Sequence, residues 1–192
     1  MTQGGLFETT ALPPGFAYQE DFLDAGEEAA ALAGIAALDL REAQYKEFTA
    51  KRRVASFGAG YDFDVNELTP APVMAPFLVP LRDRAARWAG VEPAEFNYAL
   101  VAEYRPGTQL GWHRDVPQFE SILGLSLGTA CTMRLRRFPP GEREPIYTLQ
   151  LAPRSVYALL GEARWGWQHA IAPTPALRYS ITFRSRRKAH AP

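Results

Sequence analysis

Apolar positions along the chain change period near its middle. From Asp24 they recur at helical spacing. Asp24 suits an N-cap, Glu27 and Glu28 fall in the first turn, and an Ala-rich run continues to Leu38. Leu32, Ile35 and Ala36 share a stripe whose next position is Asp39, so the helix is predicted to end near there. A second helix is predicted over 76–88, with Phe77, Leu81, Ala85 and Trp88 on one face. Pro80 belongs in its first regular turn and Gly90 ends it. Beyond Val91 the period shortens to two. Segments 98–104, 122–127, 132–138, 146–151, 155–160 and 178–184 read as strands, separated by Pro106-Gly107, Gly128, Pro139-Pro140-Gly141 and Gly161. With no helical pattern between them, they predict an antiparallel sandwich or barrel rather than a parallel sheet. The class is therefore α+β with a mainly β core. Residues 1–14 are aperiodic and read as a loosely held arm, which leaves 15–192 as one domain.

Composition narrows the class. Apolar residues make up 47% and charged residues 22%, the balance of an ordinary globular chain. At 192 residues it can bury a core without a disulfide or metal staple, and its single cysteine, Cys131, excludes a disulfide scaffold or a cysteine-rich zinc site. Lys and Arg number 21, as do Asp and Glu, so a nucleic-acid role has to rest on a local patch rather than on global charge. No basic start followed by an apolar run opens the chain, and no apolar stretch is long enough to span a membrane. The expectation is a cytoplasmic monomer.

Candidate chemistry begins with the histidines, of which there are three. His190 lies in a basic tail. His113 and His169 sit at the edges of aromatic segments, and Asp115 follows His113 by two, so the pair points the same way if that stretch is extended. His-x-Asp with one distant His is the ligand set of a facial triad for Fe(II). In a chain with 21 acidic residues the spacing is weak by itself, and two hydrogen-bonded histidines at strand ends remain an alternative. The last strand adds to it. In Arg178-Tyr-Ser-Ile-Thr-Phe-Arg184, positions 178, 180, 182 and 184 share one face. That face lies either in solvent on an edge strand or along a cavity. In the second case, arginines about 20 Å apart at ~3.3 Å per residue lean in to grip opposite ends of a small dicarboxylate.

Together, His113-Arg-Asp115, His169, the strand 178–184 and Tyr98-Ala-Leu-Val-Ala-Glu-Tyr104-Arg-Pro-Gly107 resemble the AlkB family of Fe(II)/2-oxoglutarate-dependent dioxygenases. The strong match covers about 97–185 and a weaker one covers 53–63. The resemblance implies a double-stranded β-helix, a jelly-roll variant buttressed by the N-terminal helices. It implies that His113, Asp115 and His169 bind iron. It also implies that Arg178 and Arg184 hold 2-oxoglutarate, that Tyr104 hydrogen-bonds a carboxylate, and that Ser180 lines the pocket. Dioxygen is the second co-substrate. The implied reaction is oxidative dealkylation of N-alkylated bases in DNA or RNA, with release of succinate and an aldehyde.

A hairpin at about 51–64 resembles the family's nucleotide-recognition lid. Arg52 and Arg53 would meet phosphates there, while Phe57, Tyr61 and Phe63 would frame a flipped base. The plain alternative is a hairpin with its aromatics facing the core. Trp112 is either a further stacking wall or packing. The chain departs from the family's repair members in two places. Ala102 stands where they carry an Asn that contacts 2-oxoglutarate, and Val116, Pro117 and Gln118 stand where they carry acidic residues. Those departures leave a protein side chain or a small molecule as an alternative substrate, and a non-catalytic binding module as a third reading.

Overall fold

The computed structural model describes residues 12–45, 48–62, 67–141 and 144–188. In chain order the first elements are β1 (Phe16–Gln19), α1 (Ala25–Ala36), β2 (Arg41–Tyr45), β3 (Phe48–Phe57), β4 (Ala59–Asp62), β5 (Glu67–Pro70) and α2 (Leu78–Trp88). After a 3₁₀ turn at Pro93–Glu95 come β6 (Tyr98–Tyr104), β7 (Leu110–His113), β8 (Phe119–Leu127), β9 (Cys131–Arg137) and β10 (Tyr147–Leu151). The chain then runs through β11 (Ser155–Leu159), α3 (Gly161–Trp165), β12 (Trp167–Ile171) and β13 (Arg178–Arg186). A seven-stranded sheet has the order β1-β11-β8-β13-β6-β3-β2 and a four-stranded sheet the order β10-β9-β12-β7; β4 and β5 form a separate hairpin. Every ladder is antiparallel.

Local chemistry accounts for both helices. The Asp24 carboxylate accepts from the Glu27 N–H at 2.7 Å, while the Glu27 carboxylate accepts from the Asp24 N–H at 2.9 Å, a reciprocal capping box. The helix stops at Ala36, earlier than the pattern suggests. Its buried residues are Ala31 and Ile35; Ala36 is about 100° further round the axis and faces solvent. α2 starts at Leu78, two residues before Pro80, because an N–H in the first turn has no helical partner to lose. Gly90 closes it at φ +69°, donating to the Arg87 carbonyl while Val91 donates to that of Ala86.

The helices pack on one face of the large sheet. Ala31, Ile35, Leu78 and Ala85 share a cluster there with Val101, Leu123, Leu125, Ile181 and Phe183. The other face of that sheet meets the small sheet through Phe119, Ile122, Tyr157 and Leu159 against Met133, Leu135 and Ile171. Two sheets face to face, with helices outside, make the expected jelly roll. β13 lies between β8 and β6, so the edge-strand alternative falls. Its odd positions Ile181 and Phe183 enter the helix-side core, and its even positions face the space between the sheets.

Residues 51–64 divide between two elements. Positions 51–57 belong to β3, bonded to β2 on one side and β6 on the other, and 59–62 form the first arm of the β4–β5 hairpin. The arm read at 1–14 falls mostly outside the described residues. At its end Pro13 is buried and the Pro14 carbonyl accepts from the Ala163 N–H. No helix among the described residues is long and apolar enough to cross a membrane.

Candidate active site

β7 and β12 pair with His113 opposite His169, but Leu110 lies opposite Ile171, so β7 advances three residues where β12 advances two. This bulge turns both Leu110 and His113 toward the interior, a re-aiming that simple alternation forbids. Asp115 follows just past the strand end. One ligand atom from each of His113, Asp115 and His169 falls in a group within 4.8 Å of one another. The imidazoles lie 4.2 Å apart between centroids, and His169 Nε2 is 3.8 Å from Asp115 Oδ1. Nδ1 of His113 lies 2.8 Å from the Gly111 carbonyl; with the proton there, Nε2 is left with its lone pair.

Electrostatics prepare the trio for a cation. Burial pushes the His169 pKa down to about 3, with His113 adding to the effect and Asp115 opposing it. Burial also lowers His113. Both are therefore neutral at neutral pH, the form that donates to metal. Burial alone would raise the Asp115 carboxyl, but the Arg184 guanidinium and the two histidines outweigh it and hold it well below the usual carboxylate range. Arg184 Nε donates to Asp115 Oδ2 at 2.5 Å. An N,O,N set of neutral histidines and one ionised carboxylate suits Fe(II).

The two arginines of β13 thus play different parts from the expected symmetric grip. Arg184 is engaged by the aspartate. Arg178 is 1% exposed, donates from Nε to Ser126 Oγ at 3.1 Å, and leaves Nη1 buried without a partner. Its guanidinium stands 4.9 Å over the Tyr104 ring. A buried cationic donor with nothing to bind is costly, and a carboxylate entering this pocket would satisfy it. The residues present therefore fit both iron and 2-oxoglutarate.

The trio, Arg178, Arg184, Tyr104 and Ser180 line one cavity of about 820 Å³. Arg52 and Tyr61 join them there, with Arg52 Nη1 3.5 Å from the Tyr104 hydroxyl. Other expected substrate residues lie elsewhere. Arg53 projects from the opposite face of β3 and pairs with Glu103 through two bonds of 2.8 and 2.6 Å, because neighbours on a strand point apart. Phe57 is 7% exposed in the helix-side core and faces no substrate. Trp112 lies on the outer face of the small sheet beneath Arg134 and Arg136. Phe63 lies outside the described residues. Val116 and Pro117 line the cavity, and Ala102 lies opposite Ser180 across the β6–β13 ladder, so both departures fall within the site.

Among the cavity residues that escaped the sequence, two shape its walls. Arg164 of α3 is buried and donates to the carbonyls of Asp115 (3.0 Å), Val116 (2.8 Å) and Phe119 (2.8 Å), clamping the turn that carries the aspartate. Nothing in a five-residue helix marks it. Tyr157 lies across Gly124: a Cβ there would come 2.1 Å from the phenol carbon Cζ and 2.5 Å from its oxygen. Burial pushes that phenol up to about 12. Gly124→Ala is expected to destabilise the fold by ~1–3 kcal/mol through overpacking. With Tyr157→Ala added, the double variant should lose less stability than the sum of the two single variants, in a double-mutant cycle by thermal melting.

Residues 25–184 match the model of the 2OG-Fe(II) oxygenase superfamily. A curated relative, tRNA (carboxymethyluridine(34)-5-O)-methyltransferase alkbh8 of Xenopus tropicalis, is 29% identical over 168 residues, 85% of this chain and 26% of that protein. The Alkylated DNA repair protein ALKBH8 homolog of Arabidopsis thaliana is 29% identical over 183 residues, 82% of this chain and 51% of that one. The chain thus spans about half or less of the length of these relatives. Among solved structures, OsALKBH1 superposes with a TM-score of 0.69 at 15% identity, covering 92% of this chain and 99% of that one. A Pseudomonas putida prolyl-4-hydroxylase superposes at 0.60 and 16%, covering 91% and 94%. With a donor trio suited to iron and an orphaned arginine suited to a dicarboxylate in one jelly-roll cavity, the chain belongs to the 2OG-Fe(II) oxygenase superfamily as an AlkB-like member.

Proposed function

We propose that this protein removes N-alkyl groups from nucleobases in DNA or RNA. The observation that carries the reading is the lining of the cavity. Arg52 and Arg114, which form no ion pair among the described residues, line it together with Tyr61, Tyr98, Trp165 and the donor trio. Cations for phosphates beside aromatic faces for a base are what an extruded nucleotide needs. The ALKBH8 relatives, named for tRNA modification and for DNA repair, support a nucleic-acid substrate.

Each residue has a task. His113, Asp115 and His169 hold Fe(II). Arg184 keeps the aspartate ionised, and Arg164 acts as a positioning residue by fixing the turn behind it. Arg178 takes one carboxylate of 2-oxoglutarate beside Tyr104 and Ser180. When bound, Fe(II) with 2-oxoglutarate and dioxygen would supply the oxidation that hydroxylates the alkyl carbon, and the hydroxylated product would break down to an aldehyde and the free base. The apolar Val116 and Pro117 support a second reading, hydroxylation of a protein side chain or small molecule, on the fold shared with the prolyl hydroxylase.

Formaldehyde release from methylated single-stranded DNA, RNA and peptide, with Fe(II) and 2-oxoglutarate, decides between the two. Turnover of an oligonucleotide is expected, and turnover of peptide alone would overturn the reading. Tyr61→Ala should weaken oligonucleotide binding roughly five- to a hundredfold, the loss of one ~1–3 kcal/mol stacking contact, while iron binding is retained.

A further inference from the structure

The outer face of the small sheet carries charge that the cavity chemistry does not use. On β9 the odd positions Cys131, Met133 and Leu135 are buried, which leaves Thr132, Arg134 and Arg136 on the other side. The guanidiniums of Arg134 and Arg136 stand 5.3 and 4.4 Å from the Trp112 ring, two like charges on one indole. Their cross-strand neighbours are neutral: Thr148 and Ala170 opposite Arg134, and Gln168 opposite Arg136. Arg136 Nε donates to Gln168 Oε1 at 2.8 Å, and Arg134 Nε is buried without a partner.

Neither arginine forms an ion pair among the described residues, whereas Arg53, Arg82, Arg84, Arg105, Arg137, Arg154 and Arg187 all do. Arg52, Arg87, Arg114, Arg164, Arg178 and Arg186 also lack one, but Arg134 and Arg136 stand two residues apart on one strand face over one ring. Two guanidiniums held side by side repel, and phosphates drawn onto them remove that cost. The planar fork suits phosphate oxygens in particular. The patch also runs into the cavity. Gln168, which anchors Arg136, lines the cavity, as do Arg114 and Phe138, where the Arg114 guanidinium stacks 3.8 Å from the ring.

We propose that this face is a phosphate track for a single-stranded nucleic acid. Arg134 and Arg136, braced on Trp112, hold the backbone beside the target nucleotide, and Gln168 and Arg114 lead it into the cavity. The inference rests on the nucleobase reading above and adds where the polymer lies. A strand places the two arginines about 6.6 Å apart, so each addresses its own phosphate oxygens.

The test is the salt dependence of binding. Fluorescence anisotropy of labelled, methylated single-stranded DNA and RNA of one sequence is measured with the Fe(II)-loaded protein under anaerobic conditions. The double variant Arg134→Gln/Arg136→Gln is expected to flatten the slope of log K against log salt by about 1.4, two phosphates at ~0.7 each. Turnover of the free methylated nucleoside should be unchanged. Thr148→Glu, which sets a carboxylate opposite Arg134 and keeps both arginines and the stack, should flatten the slope in the same direction if the double variant fails to fold. Arg134→Lys/Arg136→Lys should restore it. Wild-type turnover of the oligonucleotide with an unchanged slope in the Gln and Glu variants overturns the track alone. Absence of oligonucleotide turnover in the wild type, with a peptide or small molecule consumed, overturns the nucleobase reading and the track with it. A slope that flattens for RNA and not DNA upholds the track and assigns it to RNA.

Discussion

His113→Ala is expected to abolish turnover and leave the fold standing. Loss of an outer-shell partner already costs a metal site roughly 10–100-fold in affinity, and loss of a ligand should exceed that. His113, Asp115 and His169 belong to neither apolar cluster, so the core does not depend on the ion. Anaerobic calorimetry with Fe(II), or with Mn(II) as a redox-inert probe, should show the lost affinity, and a thermal melt should move little. Unchanged metal affinity would sink the assignment of His113. Arg164→Met should act in the same direction but more weakly, because the guanidinium reaches the ion only through the carbonyls of the aspartate turn.

Arg178→Ala is expected to raise the half-saturating concentration of 2-oxoglutarate at least about tenfold. Truncating one partner of a buried charge pair costs ~2–5 kcal/mol, and each 1.4 kcal/mol is a factor of ten. Arg178→Lys should fall between, since an ammonium lacks the planar fork. A second readout separates a ligand-binding arginine from a structural one. Without ligand the guanidinium is a buried charge with an unpartnered Nη1, so Arg178→Met should leave the ligand-free protein as stable as the wild type, or more so. The melting-temperature rise that 2-oxoglutarate gives the wild type should then disappear. A variant that melts early yet binds 2-oxoglutarate normally would show that Arg178 only supports the sheet.

The sequence was most legible where one period governs the chain. Alternation along 178–184 put Arg178, Ser180, Thr182 and Arg184 on one face, and a strand keeps that arrangement wherever it sits. The same rule would have found Tyr98, which shares the cavity face of β6 with Ala102 and Tyr104. It would also have separated Arg52 from Arg53, which no strand of ordinary pleat can point the same way. The error there came from treating the stretch as a hairpin tip, when ladders on both sides bind it into the large sheet.

By itself, then, the sequence determined the α+β class, the helix caps and most of the strands, while its resemblance to a known family singled out the trio and its arginines. The first three rest on local rules: a capping carboxylate, a glycine at positive φ, a period of two. Tertiary structure decided the rest, because it depends on which strands become neighbours. Pairing of β7 with β12 set His113 against His169, and a bulge turned His113 inward where alternation would have sent it out. Packing took Phe57 into the core and Trp112 to the outer face. It brought Arg184 onto Asp115 and left Arg178 with a donor to fill. Those outcomes follow from burial and charge balance among groups far apart in the chain, which no local pattern encodes.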